Sequence, residues 1–352
     1  MRSSWGSVRQ LSRNRWELRW WGIDKKSGDY RRMSKTVRGT RREAEQRLAE
    51  LRVLHADDAP APTIDFIWRE FCANKDVKPQ TVEKRRMAYA VLPYHHRQVD
   101  SLTALEVQQW LVSADIAPST VRRALSILRE IMDTAVLHGW IAANPLSVKL
   151  VLPKVQHREK TVWTYDELMD MWPRGEWWEA SYLLQAFGAA RVAESLAPLA
   201  AECSLMDVDG IPVFLAPIHG QVKTAAVGYL PYAKTDQSIR TCMVVGAAAE
   251  RLWTLSQDGR TWLTDDGGGM WCSYTILRGA WLNLGTGQPM KQLRASCETW
   301  WRWDMGLESH VIERLMGHVP LSMGGVTAKH YDSATDQQVA RTLVAAYRSW
   351  TD

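Results

Sequence analysis

The side chains best suited to chemistry stand near the C-terminus, in the stretch "LMGHVPLSMGGVTAKHYDSAT". His318 ends an apolar helical pattern, a Gly-Gly loop follows, and His330 and Tyr331 come next. A tyrosine hydroxyl has a pKa of about 10, so it is a weak nucleophile until cations and a nearby base favour the phenolate. Two roles are therefore open for Tyr331: a buried aromatic ring of the core, or a nucleophile whose hydroxyl reacts.

Cationic side chains recur upstream of this tyrosine. Arg191 lies in the apolar run "FGAARVAESLA", three residues before Glu194. It could be a buried structural arginine, but an unpaired charge in such a run would be expensive. In "YAKTDQSIRTCMVV", a hairpin-like stretch, Lys234 precedes a turn, and in "MKQLRASCETWW" Lys291 and Arg294 share one helical face.

The order and spacing of these features resemble those of the tyrosine recombinases, especially the temperate-phage integrases. That family shows an Arg with Glu three residues later, a Lys before a KT-type turn in a β-hairpin, an H-x-x-R helix, a Leu-Gly-His helix end and a downstream Tyr. The matching positions here are Arg191 with Glu194, Lys234, Lys291 with Arg294, Met316-Gly317-His318 and Tyr331. The sequence departs from the pattern in having Lys291 for the usual His, and in a longer interval between His318 and Tyr331.

The resemblance implies a site-specific integrase that cleaves and rejoins DNA through a 3'-phosphotyrosine, with neither metal, cofactor nor ATP. Two guanidiniums can hold the oxygens of a phosphodiester as negative charge develops on them. The implied roles are a clamp of Arg191 and Arg294, further donors Lys291 and His318, nucleophile Tyr331, general acid Lys234, and supporting residues Glu194 and His330. The resemblance also implies that a homotetramer exchanges DNA strands between two sites through a four-way junction.

Several of these assignments have rivals in the sequence. Lys223, in "GQVKTAA", competes with Lys234, which is favoured because Ser238 and Arg240 follow it as in the family. Tyr347 competes with Tyr331. Tyr347 falls in the amphipathic "QQVARTLVAAYRSW", which predicts a final helix; in the family this helix docks onto a neighbouring protomer. Lys291 could be a solvated helix residue, and His318 could cap its helix, which is compatible with catalysis.

Four other functions share features with a site-specific integrase. A DNA-binding protein that has lost catalysis stays open, as does a recombinase that resolves chromosomes or plasmids. A one-tyrosine topoisomerase does not explain a separate basic N-terminal domain. A metal-dependent nuclease is disfavoured because no clustered acidic ligand set stands out.

Composition and charge agree with a DNA-associated protein. No apolar run approaches the roughly 20 residues of a membrane helix, and the five scattered cysteines have no CxxC spacing. Residues 1–60 hold 15 Lys/Arg and 8 Asp/Glu, a balance of +7, so the other 292 residues carry −2 of the total of +5. A positive N-terminal segment is expected to meet a polyanion, and we expect a cytoplasmic protein acting on DNA in a bacterial host.

Local patterns predict individual elements. Period-two alternation in "RWELRWWGI" and a second extended run, "YRRMSKTV", with its basic residues on one face, predict strands. Thr40 with Glu43 and Thr164 with Glu167 form capping boxes that begin helices, and Gly317 ends a helix. The stretch "LLQAFGAARVAESLAPL" predicts a pair of helices with Arg191 at a bend.

The chain is predicted to have three domains, in a multidomain α+β fold. With the resemblance, they are a three-stranded sheet plus helix that binds arm-type DNA (1–56), an all-α bundle that binds core-type DNA (64–150), and a mainly α catalytic domain with a small β-hairpin sheet (161–352). Linkers are predicted at 57–63 and 151–160, where prolines interrupt the patterns.

DNA contacts are predicted on the basic faces of the first two domains, where a solvated face is the alternative. The predicted contact residues are Arg15, Arg19, Arg31, Arg32, Lys35, Lys84, Arg85, Arg86, Arg122 and Arg123. Arg129 lies on the same basic helix face. The predicted partners are double-stranded DNA with core-type and arm-type sites, a host DNA-bending protein and an excision directionality factor.

Overall fold

Three antiparallel strands at the N-terminus, in the order β1-β2-β3, form the first sheet in this computed structural model. They are β1 Gly6–Ser12, β2 Arg15–Ile23 and β3 Tyr30–Arg38. Alternation along β2 turns Leu18 and Trp20 to one face, where they are buried with Ala44 of helix α1 (Arg41–Leu54). The alternating residues of the sequence thus predicted β2 with the bounds that the structure has.

The structure describes residues 6–23, 30–54, 61–73, 77, 79–154, 161–233, 238–265, 267–318 and 334–352. Three predicted site residues, Lys234, His330 and Tyr331, lie outside this part of the chain.

The chain divides into two compact units, Met1–His157 and Arg158–Asp352. The first unit holds the N-terminal sheet and a set of helices, and the second holds the remaining strands and helices. The further division of the first unit, with a linker at 57–63, stays a prediction.

Helix α1 begins with the predicted capping box. The Thr40 hydroxyl accepts a hydrogen bond from the backbone N–H of Glu43 at 3.3 Å, and the Glu43 carboxylate accepts one from the backbone N–H of Thr40 at 2.7 Å. Two N–H groups that a helix start leaves unpaired are thereby satisfied.

The basic residues of β3 occupy both faces of the sheet, which corrects the expectation that they share one. Lys35 pairs with buried Leu18, so Lys35 and Arg31 belong to the helix-covered side, although both are exposed. Arg32 points to the opposite side together with Arg19 and with Trp21, whose ring lies 4.9 Å from that of Phe66. The reason is the pleat, which sends adjacent side chains to opposite faces and so must separate Arg31 from Arg32.

The rest of the first unit is helical, as predicted. Its elements are α2 Ile64–Ile67, continued by a π-helical turn Trp68–Cys72, then α3 Pro79–Ala90, α4 Ala104–Ser113 and α5 Pro118–Leu137. Helix α5 buries Leu125, Leu128, Ile131 and Met132, the spacing of one apolar stripe.

Arg85, a predicted DNA contact, is engaged within the first unit, and its contact with DNA stays a prediction. Its guanidinium makes two bonds to the Glu130 carboxylate of α5, at 2.9 and 2.8 Å, and donates to the Cys72 carbonyl at 3.0 Å. Its guanidinium carbon also lies 5.6 Å from the centroid of the Trp68 ring. The helix faces alone did not show that Glu130, 45 residues away, meets this arginine.

The other predicted cations of the helices are exposed. Lys84, Arg86 and Arg123 lie at the surface of α3 and α5. Arg122 is exposed as well, but it donates to the Pro153 carbonyl at 3.2 and 2.8 Å, so it also holds the segment that follows the helices.

The second unit surrounds a small antiparallel sheet with helices, as the predicted fold class requires. The sheet has the order β4-β5-β8, with a separate two-stranded hairpin β6-β7. The strands are β4 Ser204–Val208, β5 Ile211–Ile218, β6 Gln221–Val222, β7 Tyr229–Leu230 and β8 Arg240–Val245. The helices are α6 Tyr165–Asp170, α7 Glu179–Ala186, α8 Ala247–Ser256, α9 Tyr274–Asn283, α10 Lys291–Thr299, α11 Ser309–Met316 and α12 Asp336–Thr351.

Only the first of the two helices expected in "LLQAFGAARVAESLAPL" forms, because residues 187–198 make turns after α7. Ala189 adopts a positive φ of 49°, which ends any continuing helix. The Glu194 carboxylate then takes the backbone N–H of Arg191 at 3.0 Å, so a side chain replaces the next helical bond. These turns place Arg191 at the edge of the core.

The final helix α12 packs within its own unit. Its residues Val339, Ala340, Leu343 and Val344 are buried in the core that β8 also enters. Tyr347 lies among aromatic rings, with Trp300 at 6.4 Å between centroids. Docking of this helix onto a neighbouring protomer stays a prediction.

Candidate active site

The C-terminus of α11 presents His318. Gly317 adopts a left-handed conformation with φ 66° and ψ 45°. Its backbone N–H donates to the Arg314 carbonyl at 2.9 Å, and the N–H of His318 donates to the Glu313 carbonyl at 2.8 Å. This pair of bonds is a Schellman motif, which favours glycine at the left-handed position and fixes the direction in which the next residue leaves the helix.

Three arginines from separate parts of the unit converge on this helix end, and each donates to one of three consecutive carbonyls. The pairs are Arg240 Nε to Leu315 O at 2.7 Å, Arg294 Nη2 to Met316 O at 2.8 Å, and Arg191 Nη2 to Gly317 O at 3.4 Å. The last carbonyls of a helix carry partial negative charge and lack helical partners, so cations are stabilised there. The helix end therefore gathers positive charge beside His318.

One carboxylate, Glu194, is shared among the three arginines. It accepts from Arg191 Nη1 at 2.5 Å and from Arg240 Nη2 at 3.0 Å, and it lies 3.9 Å from Arg294 Nη1. Its side chain is 3% exposed. Burial raises the pKa of Glu194, but the charges of Arg240 and Arg191 outweigh it and hold that pKa below its ordinary value. With Glu194 ionised, three guanidiniums and one carboxylate leave a local excess of two positive charges.

Arg294 of α10 is more deeply buried than Arg191, with 12% of its side chain exposed. Nη1 donates to the Ala189 carbonyl at 2.6 Å, and Nη2 lies 2.9 Å from Nε2 of His318. Burial, followed by the charges of Arg191 and Arg240, lowers the pKa of Arg294 to about 10, which still leaves it protonated near neutrality. Bound on three sides, this guanidinium is fixed before any ligand arrives.

The contact with Arg294 also decides how the His318 ring is protonated. A guanidinium has donors only, so Nε2 of His318 must be the acceptor and the proton of the neutral ring stays on Nδ1. Desolvation, followed by the charges of Arg294 and Arg191, lowers the pKa of His318. His318 is therefore neutral near pH 7 and offers Nδ1–H as a donor.

Arg191 is the most accessible of the three arginines, with 29% of its side chain exposed. Besides its bonds to Glu194 and Gly317, it donates to the Ser238 hydroxyl at 3.0 Å. Among contacts to the described residues, its Nε–H and one Nη2–H are left for a ligand; for Arg294, Nε–H and one Nη1–H are left. These donors and Nδ1–H of His318 can serve one anion with several oxygens.

Two of the three candidate site lysines lie among the described residues, and they are placed differently. Lys291 is exposed at the first turn of α10, one turn before Arg294. Lys223, the rival of Lys234, follows β6 and is half-buried; its carbonyl accepts from the backbone N–H of Tyr274 at 2.9 Å. Lys234 itself lies outside the described residues, and Ser238 is the first described residue after it.

Tyr331 also lies outside the described residues, but the chain on both sides of its segment meets α11. His318 leaves the C-terminus of that helix, and the carbonyl of Ala334 accepts a hydrogen bond from Arg314 Nη2 on the same helix. The residue that follows, Thr335, caps α12.

Sequence reasoning missed the part played by Arg240 and Ser238. Both were noted only because they follow Lys234 as in the family. An arginine directly before an apolar strand was the available signal, but its partners at positions 194 and 315 become visible only in three dimensions.

The described residues contain no group of three or more His, Cys, Asp or Glu side chains arranged to hold a metal ion. None of their helices combines the length and apolar character needed to cross a membrane.

Comparison with known proteins places this geometry in a known fold. The sequence matches no family model, and no curated protein matches it. Among solved structures, it is similar to the Tn1549 transposon integrase in complex with circular intermediate DNA, with 13% identity and a TM-score of 0.60 over 83% of this chain and 100% of that one. The chain has the tyrosine recombinase fold.

A lambda integrase dimer bound to a core site is also similar, at 13% identity and a TM-score of 0.53, over 90% of this chain and 95% of that one. A lambda integrase tetramer bound to a Holliday junction gives the same TM-score. The tyrosine recombinase fold and the predicted resemblance to that family are thus confirmed.

Proposed function

We propose that this chain is a site-specific DNA recombinase of the integrase type, which cleaves and rejoins DNA through a covalent 3'-phosphotyrosine on Tyr331. The observation that carries the proposal is the convergence of Arg191, Arg294 and His318 on one helix end, in a fold shared with DNA-bound integrases.

The first step is recognition of the scissile phosphate. A phosphodiester carries one negative charge, and attack adds charge to its non-bridging oxygens. The remaining donors of Arg191 and Arg294 and the Nδ1–H of His318 are fixed in advance, so they can stabilise that charge without reorganising. Lys291, exposed one turn before Arg294, supplies a further cation where the family has histidine. This arrangement calls for no metal and no ATP.

Strand cleavage follows by nucleophilic attack. Tyr331 loses its hydroxyl proton to solvent, and the phenolate oxygen forms a bond to phosphorus as the bond from phosphorus to the 5'-oxygen of deoxyribose breaks; Lys234 gives that leaving oxygen a proton. Because the covalent link keeps the phosphate ester intact, a second 5'-hydroxyl can attack it and restore Tyr331. Glu194 holds Arg191, and His330 lies beside the nucleophile in sequence.

The wider biological assignments are part of the same proposal. The catalytic domain 161–352 works with a core-binding domain at 64–150 and an arm-binding domain at 1–56, in a tetramer on DNA. Integration and excision of a phage or another mobile element is the proposed task, with a host DNA-bending protein and an excision factor as partners. The face of the N-terminal sheet opposite α1, which carries Arg15, Arg19 and Arg32, is the proposed arm-DNA surface.

A covalent-capture experiment tests the proposal. Duplexes that bind the full-length protein are selected from a random pool and then nicked at successive positions, so that a cleaved end diffuses away. The wild-type protein is expected to give a DNA adduct that survives a denaturing gel and forms equally well in chelator. Tyr331→Phe should abolish the adduct, whereas Tyr347→Phe, a control in the aromatic core, should retain it.

The outcome separates an enzyme from a binding protein. If wild type binds its selected site but gives no adduct at any nick position, the chain is a DNA-binding protein on the same scaffold. An adduct that persists in Tyr331→Phe would reject Tyr331 as the nucleophile.

A further inference from the structure

Arg240 is the most deeply buried of the three site arginines, with 7% of its side chain exposed. It is the first residue of β8, and each of its nitrogens has a partner. Nε donates to Leu315 O at 2.7 Å, Nη1 to Ser238 O at 3.1 Å, and Nη2 to Glu194 Oε2 at 3.0 Å. With a partner at each nitrogen and so little exposure, this guanidinium is bound to its neighbours and is the least accessible of the three to DNA.

Each of the three partners belongs to a different part of the proposed site. Leu315 is in the last turn of α11, three residues before His318. Glu194 binds the guanidinium of Arg191. Ser238 accepts from Arg191 through its hydroxyl and from Arg240 through its carbonyl, and it is the fourth residue after Lys234. One rigid side chain therefore ties together the elements that carry the proposed reactive groups.

The chemistry of these bonds requires a guanidinium. Its donors lie in one plane and point in fixed, divergent directions, so a single group can satisfy two carbonyls and one carboxylate at once. The ammonium group of lysine is a compact point charge on a flexible stem, so it could pair with Glu194 but could not reproduce all three directions. Arg240→Lys would thus keep the charge and lose the alignment.

We infer that Arg240 is a positioning residue for DNA strand cleavage, which holds the α11 end, Glu194 and Ser238 in the one arrangement that aims Arg191, Arg294 and His318 at the same phosphate. This inference rests on the proposed function. It assigns Arg240 no contact with DNA.

A second ion pair of the unit, in which the carboxylate is buried and the arginine is 38% exposed, provides a control. Arg251 donates to the two carboxylate oxygens of Glu179 at 3.0 and 2.8 Å, and Glu179 is as deeply buried as Glu194. Within the described residues, no hydrogen bond or ion pair joins Arg251 or Glu179 to Arg191, Arg294 or His318. A purely structural role for Arg240 predicts that both arginines behave alike when replaced.

The test measures single-turnover adduct formation on the nicked duplex, and equilibrium binding of the same duplex without a nick. Arg240→Lys and Arg240→Ala are each expected to slow adduct formation about 100-fold, the size of effect that misplaced reacting groups produce. Binding of the duplex should change less than about threefold, because the buried guanidinium does not touch DNA. Arg251→Lys should leave the adduct rate of folded protein unchanged.

Chemical rescue distinguishes alignment from general loss of stability. Added guanidinium is expected to restore a good part of the rate of Arg240→Ala, because it can occupy the space that the side chain leaves, and to leave Arg251→Ala unaffected. Thermal unfolding of every variant shows which fraction is folded. The inference is overturned if Arg240→Lys forms adduct at the wild-type rate, or if both arginine variants slow in parallel with their loss of folded protein and neither responds to guanidinium. Failure of wild type to form any adduct would instead reject the proposed function.

Discussion

Arginine and glutamate meet in both units of this chain, but in different proportions. In the first unit, Arg85 is joined to the carboxylate of Glu130 by two short bonds, and the Cys72 carbonyl takes a further donor. In the second unit, Arg191, Arg240 and Arg294 share the single carboxylate of Glu194. A balanced pair holds two helices together. A cluster with two surplus positive charges stays stable through the carbonyls at the end of α11, and it is prepared to receive an anion.

Replacing one arginine of the cluster and the arginine of the Arg85–Glu130 pair tests this difference most directly. Arg294→Lys keeps the charge but loses the bonds to Met316 and His318, so we expect adduct formation to fall about 100- to 1000-fold, as when a fixed donor to a developing oxyanion is removed. Arg85→Lys should lower the free energy of unfolding by about 1–3 kcal/mol, because the carboxylate of Glu130 loses its paired donors. Its rate of adduct formation should stay at the wild-type level. Equal rate losses in both variants, measured by single turnover and denaturant unfolding, would remove the distinction.

The surplus charge can be tested by removing the shared carboxylate. Glu194→Gln leaves three guanidiniums around a neutral amide, and we expect the free energy of unfolding to fall by about 3–5 kcal/mol. Sulfate should then raise the melting temperature of this variant more than that of wild type, since the anion replaces the lost charge. Glu179→Gln, which removes the carboxylate partner of the single arginine Arg251, provides the control. A sulfate effect no larger than in that control would show that the cluster does not bind anions.

The smallest effect concerns the protonation of His318. Because the folded-state pKa is lowered, the unfolded chain binds a proton first as the pH falls below the ordinary histidine value of about 6.5, and this residue's contribution to stability is lost from there downward. Nitrogen-15 spectra of the imidazole should show a titration midpoint below that value and, in the neutral form, an unprotonated Nε2. A midpoint at or above the ordinary value, or a proton on Nε2, would contradict the contact with Arg294.

Strong local patterns were sufficient to predict much of this fold. The period-two run of β2, the capping boxes at Thr40 and Thr164, and the glycine that ends α11 all act within a few residues of chain. The order of the polar residues, read together, was enough to suggest the family.

Features set by distant parts of the chain could not be predicted in the same way. The pairing of Arg85 with Glu130 joins residues 45 apart in sequence. Arg240 bonds to Glu194, 46 residues away, and to Leu315, 75 residues away. The face of Lys35 depended on the register between β2 and β3. Such contacts follow from packing between elements, and the pattern of a single helix or strand does not identify the residues that will pack against it.

The central claim is that the arginine cluster serves a covalent reaction at Tyr331, and mapping the adduct tests it most directly. The denatured complex formed on the nicked duplex is digested with nuclease and protease, and the remaining nucleotide is located on the peptides by mass spectrometry. We predict a phosphonucleotide on the peptide that contains Tyr331. A nucleotide on Tyr347 or on any other residue would contradict the account.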